Sequence, residues 1–161
     1  LQEGKSHDVQ GLDLSFNSLK IAIVVSRFNE HISAALLKGA LRVLKQSGIQ
    51  ESHIQVSNVP GSFELPVAAQ IIIRAQKPDA VICLGALIRG ETDHYRYLAA
   101  EVSRGIGEVA LSNELPVIFG VLTTDSLEQA QERAGGLYGN KGEEAAMAAL
   151  HMVSLQKNVS G

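Results

Sequence analysis

Four strand-like runs, each handing over to a segment of helical period, constrain this chain more than any other feature. They are Lys20 to Ser26, about His53 to Val59, Ala80 to Leu84, and Val117 to Leu122. Most have the short, β-branched, continuously apolar character of strands covered on both faces. After the first, Asn29 is placed to cap a helix whose apolar face is Ile32, Leu36, Leu37, Ala40, Leu41 and Leu44, closing at Ser47-Gly48. After the second, Pro60-Gly61-Ser62-Phe63-Glu64-Leu65-Pro66 fixes a turn. The helix beyond it carries Val67, Ala68, Ile71, Ile72 and Ile73 on more than one face, so it is expected to be largely buried. After the third, Tyr95, Leu98, Val102, Ile106 and Val109 recur with the 3-4-4-3 spacing of one helix face. After the fourth, Asp125-Ser126-Leu127-Glu128 has capping-box spacing with Asp125 in the cap position, opening a short helix that ends near Arg133 to Gly136. Asn140-Lys141-Gly142-Glu143 opens a last helix with Ala146, Ala149, Leu150 and Val153 on one face.

The pattern β-α-β-α-β-α-β-α-α, with short connections, calls for a parallel sheet covered on both sides. Right-handed crossovers make it doubly wound. The expected fold is therefore α/β, a three-layer sandwich around a four-stranded parallel sheet in the flavodoxin-like order 2-1-3-4. At 161 residues one domain spanning 1–161 suffices, and a domain of this size buries about 70% of its unfolded surface without staples. Residues 1–19 read as a polar amino-terminal arm in which only Leu12-Asp13-Leu14 hints at extended structure. A four-stranded sheet whose helices are rich in alanine and aliphatics points to self-association.

Composition narrows the function classes. The net charge is −3 and the lysines and arginines are scattered, so nucleic acid is not an expected partner. The single cysteine, Cys83, lies inside an apolar run and reads as a small buried hydrophobe. No apolar stretch approaches the ~18 residues of a membrane span and no secretory signal pattern is visible, so a soluble intracellular, cytoplasmic protein is expected. No His, Cys and carboxylate grouping has metal-ligand spacing.

The chemistry is expected to centre on Gly85-Ala86-Leu87-Ile88-Arg89-Gly90-Glu91-Thr92-Asp93-His94-Tyr95, between the third strand and its helix. In open parallel α/β folds ligands bind outside the carboxyl ends of the strands, where the next helix offers free N–H groups. Gly85 and Gly90 permit close backbone approach, Thr92 and Asp93 suit a helix start, and His94 is of the residue type that exchanges protons near neutrality. Arg27-Phe28-Asn29 and Gly61-Ser62-Phe63-Glu64 end the neighbouring strands at the same edge. Two aromatic rings beside a carboxylate, backbone amides and a histidine suit a flat, polar heterocycle. For Glu64 the alternative is a first-turn acid favouring the helix dipole. His7, His31, His53 and His151 have no comparable setting and read as surface. Gly90-Glu91-Thr92 offers amides to a phosphate, but Glu91 and Asp93 bring negative charge, so a dianion needs a separate cation. Arg133 and Lys141 are candidates, although spacing does not show that they reach this edge.

Rival motifs fail on context. Gly105-Ile106-Gly107-Glu108-Val109-Ala110 matches a dinucleotide fingerprint in letters but lies mid-helix, and Gly136 to Gly142 has Asn140 where a P-loop needs glycine before the lysine.

From about Gly11 to Leu155 the chain resembles the lumazine synthase family. The motifs that carry the resemblance are Arg27-Phe28-Asn29, Pro60 to Pro66, Ile88-Arg89-Gly90-Glu91-Thr92 with His94-Tyr95, Phe119 to Thr123, Glu132 to Gly135 and Gly139-Asn140-Lys141-Gly142. The resemblance implies a cofactor-free condensation of two small-molecule substrates, 5-amino-6-ribitylaminouracil and 3,4-dihydroxy-2-butanone 4-phosphate. The products would be 6,7-dimethyl-8-ribityllumazine, phosphate and water, the penultimate step of riboflavin biosynthesis. It further implies that Phe28 stacks on the pyrimidine and that Ser62, Phe63, Glu64, Ala86, Leu87 and Ile88 hold the ring and ribityl chain. Glu91, Thr92 and Arg133 would bind the phosphate, and His94 would carry protons. Phe119, Arg133 and Lys141 would come from a neighbouring subunit of a homo-pentamer. The short Gly135-to-Lys141 turn resembles that of members forming 60-subunit shells, with riboflavin synthase a candidate associate, and a plant source would place the protein in the plastid stroma instead. Leu87 stands where valine is common and Ser62 where alanine is frequent; neither change removes a functional group. A non-catalytic flavin- or lumazine-binding or shell-forming protein on the same scaffold is the alternative, together with an archaeal-type riboflavin synthase. A pure binding protein would have no use for His94, Arg133 and Lys141.

Overall fold

The computed structural model describes residues 15–161. Strands β1 (Ile21–Ser26), β2 (Ile54–Val59), β3 (Ala80–Ile88) and β4 (Val117–Thr124) form one parallel sheet in the order β2-β1-β3-β4. Helices α1 (Glu30–Gln46), α2 (Leu65–Gln76), α3 (His94–Asn113), α4 (Leu127–Arg133) and α5 (Lys141–Ser160) surround it. The doubly wound α/β sandwich expected from the alternation is the fold observed.

Period-2 alternation divides the core between the two sides of the sheet. Ile21, Ile23 and Val25 of β1, with Ala80, Ile82, Leu84 and Ala86 of β3, pack with Ile32, Leu36, Ala40 and Leu44 of α1 and Ala146, Ala149, Leu150 and Val153 of α5. Ala22, Val24, Val81, Cys83 and Leu87 point the other way and meet Leu65, Ala69 and Ile72 of α2 and Val102, Ile106 and Val109 of α3. The two central strands are buried along their length except at Ile88, the last residue of β3, which is partly buried. That is why they read as uninterrupted apolar runs rather than alternating ones.

Several local expectations differ from the structure. Helix α2 is not largely buried. Only Leu65, Ala69 and Ile72 are buried, with Ala68 and Ile73 partly so, while Val67 and Ile71 are 57% and 60% exposed. One stripe of a 12-residue helix suffices to cover the sheet, and the second apolar stripe faces outward. Strand β3 runs past Leu84 to Ile88, because β4 continues beside it through the pairs Gly85↔Val121 to Ile88↔Thr124. The opening residues of the central stretch are therefore strand, and only Arg89 to Asp93 form the connection.

Asn29 precedes α1 in the left-handed conformation, φ 57°, and makes no side-chain cap. Its Nδ2 instead donates to the Ala86 carbonyl at 2.9 Å, tying the β1–α1 turn to β3. At α4 the cap is Ser126 and not Asp125: Ser126 Oγ accepts from Gln129 N, and Gln129 Oε1 accepts from Asp125 N. Phe16 and Leu19 are buried in the core beneath α1, so the end of the supposed arm belongs to the domain's packing. The hint of extended structure at Leu12 to Leu14, and His7, fall outside the described residues. A short antiparallel ladder, β5 (Ala134–Gly136) with β6 (Gly139–Asn140), joins α4 to α5 and was not anticipated.

Candidate functional site

The sheet register builds a step at the carboxyl edge. Ser26 ends β1 level with Val59 of β2, and Val25 pairs with Leu84, whereas β3 and β4 continue together to Ile88 and Thr124. At ~3.3 Å per residue, Ala86 to Ile88 stand about 10 Å proud of their neighbours. The segments leaving β1 and β2 close around this step. Arg27 N donates to Val59 O at 2.9 Å and Phe28 N to Pro60 O at 3.1 Å, so the Phe28 segment and the 60–64 turn are locked side by side.

Within that frame Phe28 and Phe63 are 69% and 57% exposed, large apolar rings left mostly open by the described residues. Ser62, between them, is buried, its Oγ 3.5 Å from the buried Ser26 Oγ. Gly85 lies beneath both: a Cβ there would sit 2.6 Å from Ser26 Oγ and 2.7 Å from Ser62 Oγ. The missing side chain at 85 is thus what lets the 62–64 turn descend onto β3. The Glu64 carboxylate folds back, Oε2 accepting from Gly61 N at 3.0 Å. It pins the turn that carries Phe63, a structural task that does not occupy both of its oxygens.

Ala86 and Leu87 are buried in opposite core layers, and Ile88 is partly buried. What Ala86 and Leu87 can offer a ligand is therefore backbone, and the Ala86 carbonyl is already engaged by Asn29. Glu91, Thr92 and His94 are exposed, with His94 the first residue of α3. Among the described residues no side chain caps that helix start, which leaves its first amides free to bond a ligand. Arg89, anchored by its N–H to Thr124 O at 2.8 Å, pairs with Asp125 at 3.6 Å.

The remaining candidates lie elsewhere in the chain. Phe119, Arg133 and Lys141 line one hollow of about 450 Å³ along the outer edge of β4, together with Glu144, Ala145 and Thr124. None of the strand-end residues Phe28, Ser62, Phe63, Glu64 and His94 borders it. Arg133 is held from three sides: Nη1 donates to Gln129 O at 3.0 Å, Glu132 lies 3.9 Å away, and the Tyr138 ring stacks 4.8 Å from the guanidinium. Lys141 Nζ pairs with Glu144 at 2.6 Å. Ser26 and Tyr138 received no role from the sequence; an aromatic residue inside a glycine-rich turn and a serine ending an apolar strand were the available signals.

Cys83 is fully buried, and burial pushes its thiol up to about 12, which removes it from any nucleophilic role. The low value of the Glu101 carboxyl has a local cause, its hydrogen bonds with Arg104 on the surface of α3.

A four-stranded parallel sheet in the order β2-β1-β3-β4 with helices on both faces defines the class: an α/β protein of flavodoxin-like fold, with aromatic rings and a histidine exposed at its carboxyl edge. Within that class the family is specific. The model of the 6,7-dimethyl-8-ribityllumazine synthase family matches residues 18–157, and the chain belongs to that family. Membership links it in general terms to lumazine formation in riboflavin biosynthesis and to enzymes of the transferase type.

Proposed function

We propose that this chain condenses 5-amino-6-ribitylaminouracil with 3,4-dihydroxy-2-butanone 4-phosphate, giving 6,7-dimethyl-8-ribityllumazine, inorganic phosphate and water. The observation that carries the reading is the division of the candidate residues into two half-sites: an aromatic and histidine half at the strand ends, and a cationic half along the edge of β4. A heterocycle fits the first and a phosphate the second. Two such substrates react only when both halves meet, and a neighbouring subunit is the simplest way to bring them together.

In this scheme Phe28 stacks on the pyrimidine, Ser62 to Glu64 and the backbone of Ala86 to Ile88 hold the ring and ribityl chain, and Phe119 closes the pocket from the neighbour. The neighbour's Arg133 and Lys141, with the amides at Glu91-Thr92, take the phosphate. Their positive charge offsets Glu91 and Asp93, which would otherwise repel a dianion. The substrate's amine attacks the ketone and water leaves to give an imine; phosphate departs by elimination; the second amine closes the ring with loss of another water. Each step moves protons, and no electron acceptor is consumed. His94, exposed at the crevice, is the proton carrier, a contribution of about 10²–10⁴-fold. Holding the two substrates in register supplies much of the rest.

The test is an anaerobic assay following lumazine fluorescence with wild type, His94→Ala and a no-enzyme control. Turnover well above the control, lowered in the variant, supports the reading. Product binding without turnover above the control would overturn it in favour of a binding protein.

A further inference from the structure

We propose that Asn140 is a positioning residue for the Arg133–Lys141 pair, seated on α1 in a slot that Gly39 leaves open. The proposal rests on the reading that this pair takes the substrate's phosphate. Ala134 of β5 pairs antiparallel with Asn140 of β6. Arg133 directly precedes that bridge and Lys141 directly follows it, so the ladder brings the two cations to the same end, and both line the β4-edge hollow. Strands of three and two residues are too short to fix where that end sits on the molecule.

The Asn140 side chain fixes it. Its Nδ2 donates to the Ala35 carbonyl of α1 at 3.0 Å, and its Oδ1 accepts from Gly142 N at 2.8 Å, capping α5. Both partners are backbone atoms, one on α1 and one on α5. The seat is cut to the amide: a Cβ at Gly39 would stand 2.5 Å from Asn140 Cγ and Oδ1. A Cβ at Gly142 would collide with the Leu36 carbonyl. A glycine inside α1 costs about 1 kcal/mol relative to alanine, and at position 39 it makes room for this side chain. Asn140 does not border the hollow itself, so it acts through its neighbours in the chain.

The experiment is steady-state kinetics on Asn140→Ala, Gly39→Ala, the double variant and Asn140→Ser, with each substrate varied in turn, inorganic phosphate as competing anion, and a Tm for each. Displacing the cations by ~1 Å should raise KM for the phosphate-bearing substrate on the order of tenfold and weaken inhibition by phosphate by the same factor. KM for the uracil should stay within about twofold, since no atom of the other half-site moves. Gly39→Ala should reproduce this although residue 39 is remote in sequence from either cation. The double variant should be no worse than either single one, because the methyl enters space the amide has vacated. Serine keeps the cap on Gly142 but cannot reach Ala35, so Asn140→Ser should recover Tm but not the phosphate KM. Recovery of both, or lowered Tm with unchanged phosphate KM in Asn140→Ala, would overturn the proposal. Arg133→Ala and Lys141→Ala separate the two levels. If they raise the phosphate KM while Asn140→Ala and Gly39→Ala do not, only the positioning role fails. If they too leave it unchanged, the anion site itself is misassigned.

Discussion

Three single residues carry more than their letters indicate. At Gly85 the finding concerns space: Ser26 and Ser62 are both buried, so neither hydroxyl can swing away from a new methyl. Gly85→Ala should therefore cost about 1–3 kcal/mol, measured by urea unfolding, and should lower affinity for the heterocycle by lifting the 62–64 turn. Asn29 combines a left-handed backbone with a hydrogen bond to Ala86. Asn29→Gly should lose about 1 kcal/mol for the bond, and Asn29→Ala more, because alanine also resists φ 57°. Both are read as shifts in the unfolding midpoint. Cys83 links stability to pH. Its folded thiol is raised to about 12 by burial, whereas an unfolded one ionises near ~8.5. The unfolded chain therefore loses this proton first. The group has no pH effect below about 8.5, and above it stability falls by up to ~1.4 kcal/mol per pH unit. Urea unfolding between pH 8 and 10 should show a shallower decline in Cys83→Ala. The cysteine's burial was legible in its apolar run, but the tasks of Gly85 and Asn29 were not, because their partners lie tens of residues away.

Among the elements, helices whose whole apolar stripe faces the sheet were read correctly from sequence. α1, α3 and α5 bury the residues their periodicity marks, with Leu37, Leu41, Tyr95 and Leu98 at the margins. Ser47-Gly48 closes α1 and Asn140 opens α5 as read, but the start of α4 was misread, since capping depends on which of two adjacent polar residues adopts the extended conformation. At α4 that residue is Ser126, φ −142°. Ser126→Ala should cost about 0.5–2 kcal/mol. Asp125→Ala should stay within ~1 kcal/mol, its exposed pairing with Arg89 being weak. Thermal melts of the two variants decide which residue is the cap. α2 shows the other limit of periodicity: Val67 and Ile71 are apolar and exposed. Val67 lines, with Phe63, a groove of about 490 Å³ between α2 and α3 that Glu101, Arg104 and Glu108 also border. Sequence registers that such a residue is apolar, not which side of the molecule will cover it.

At the scale of the whole molecule, the proposed sharing of sites between copies of the chain would account both for the split between the half-sites and for the apolar face of α2 that the described residues leave exposed. If subunits share sites, His94→Ala and Arg133→Ala chains, each of lowered activity, should recover activity well above that of either variant when unfolded together and reassembled. Each variant reassembled alone should not, and failure of the mixture would place every site within one chain. Val67→Glu with Ile71→Lys should lower the mass seen in sedimentation and abolish turnover while leaving the circular dichroism of the subunit intact. The wild-type mass also tests assembly size, since a value near a single pentamer rules out a shell under the conditions used. The sequence by itself determined the strand and helix segments, their order and the layers they form, because apolar period is a local property and the crossover rule leaves few ways to stack such units. It also marked the family motifs one by one. The alternation of elements already set Phe28, Ser62, Phe63 and His94 at one edge; only the tertiary structure decided that Phe119, Arg133 and Lys141 line a separate hollow along β4. That division follows from the β2-β1-β3-β4 register, in which β3 and β4 outrun their neighbours and β4 lies open at the sheet's margin. The apolar pattern fixes which face of each strand is buried, but how far β3 and β4 outrun β1 and β2 is set by pairing between segments far apart in the chain.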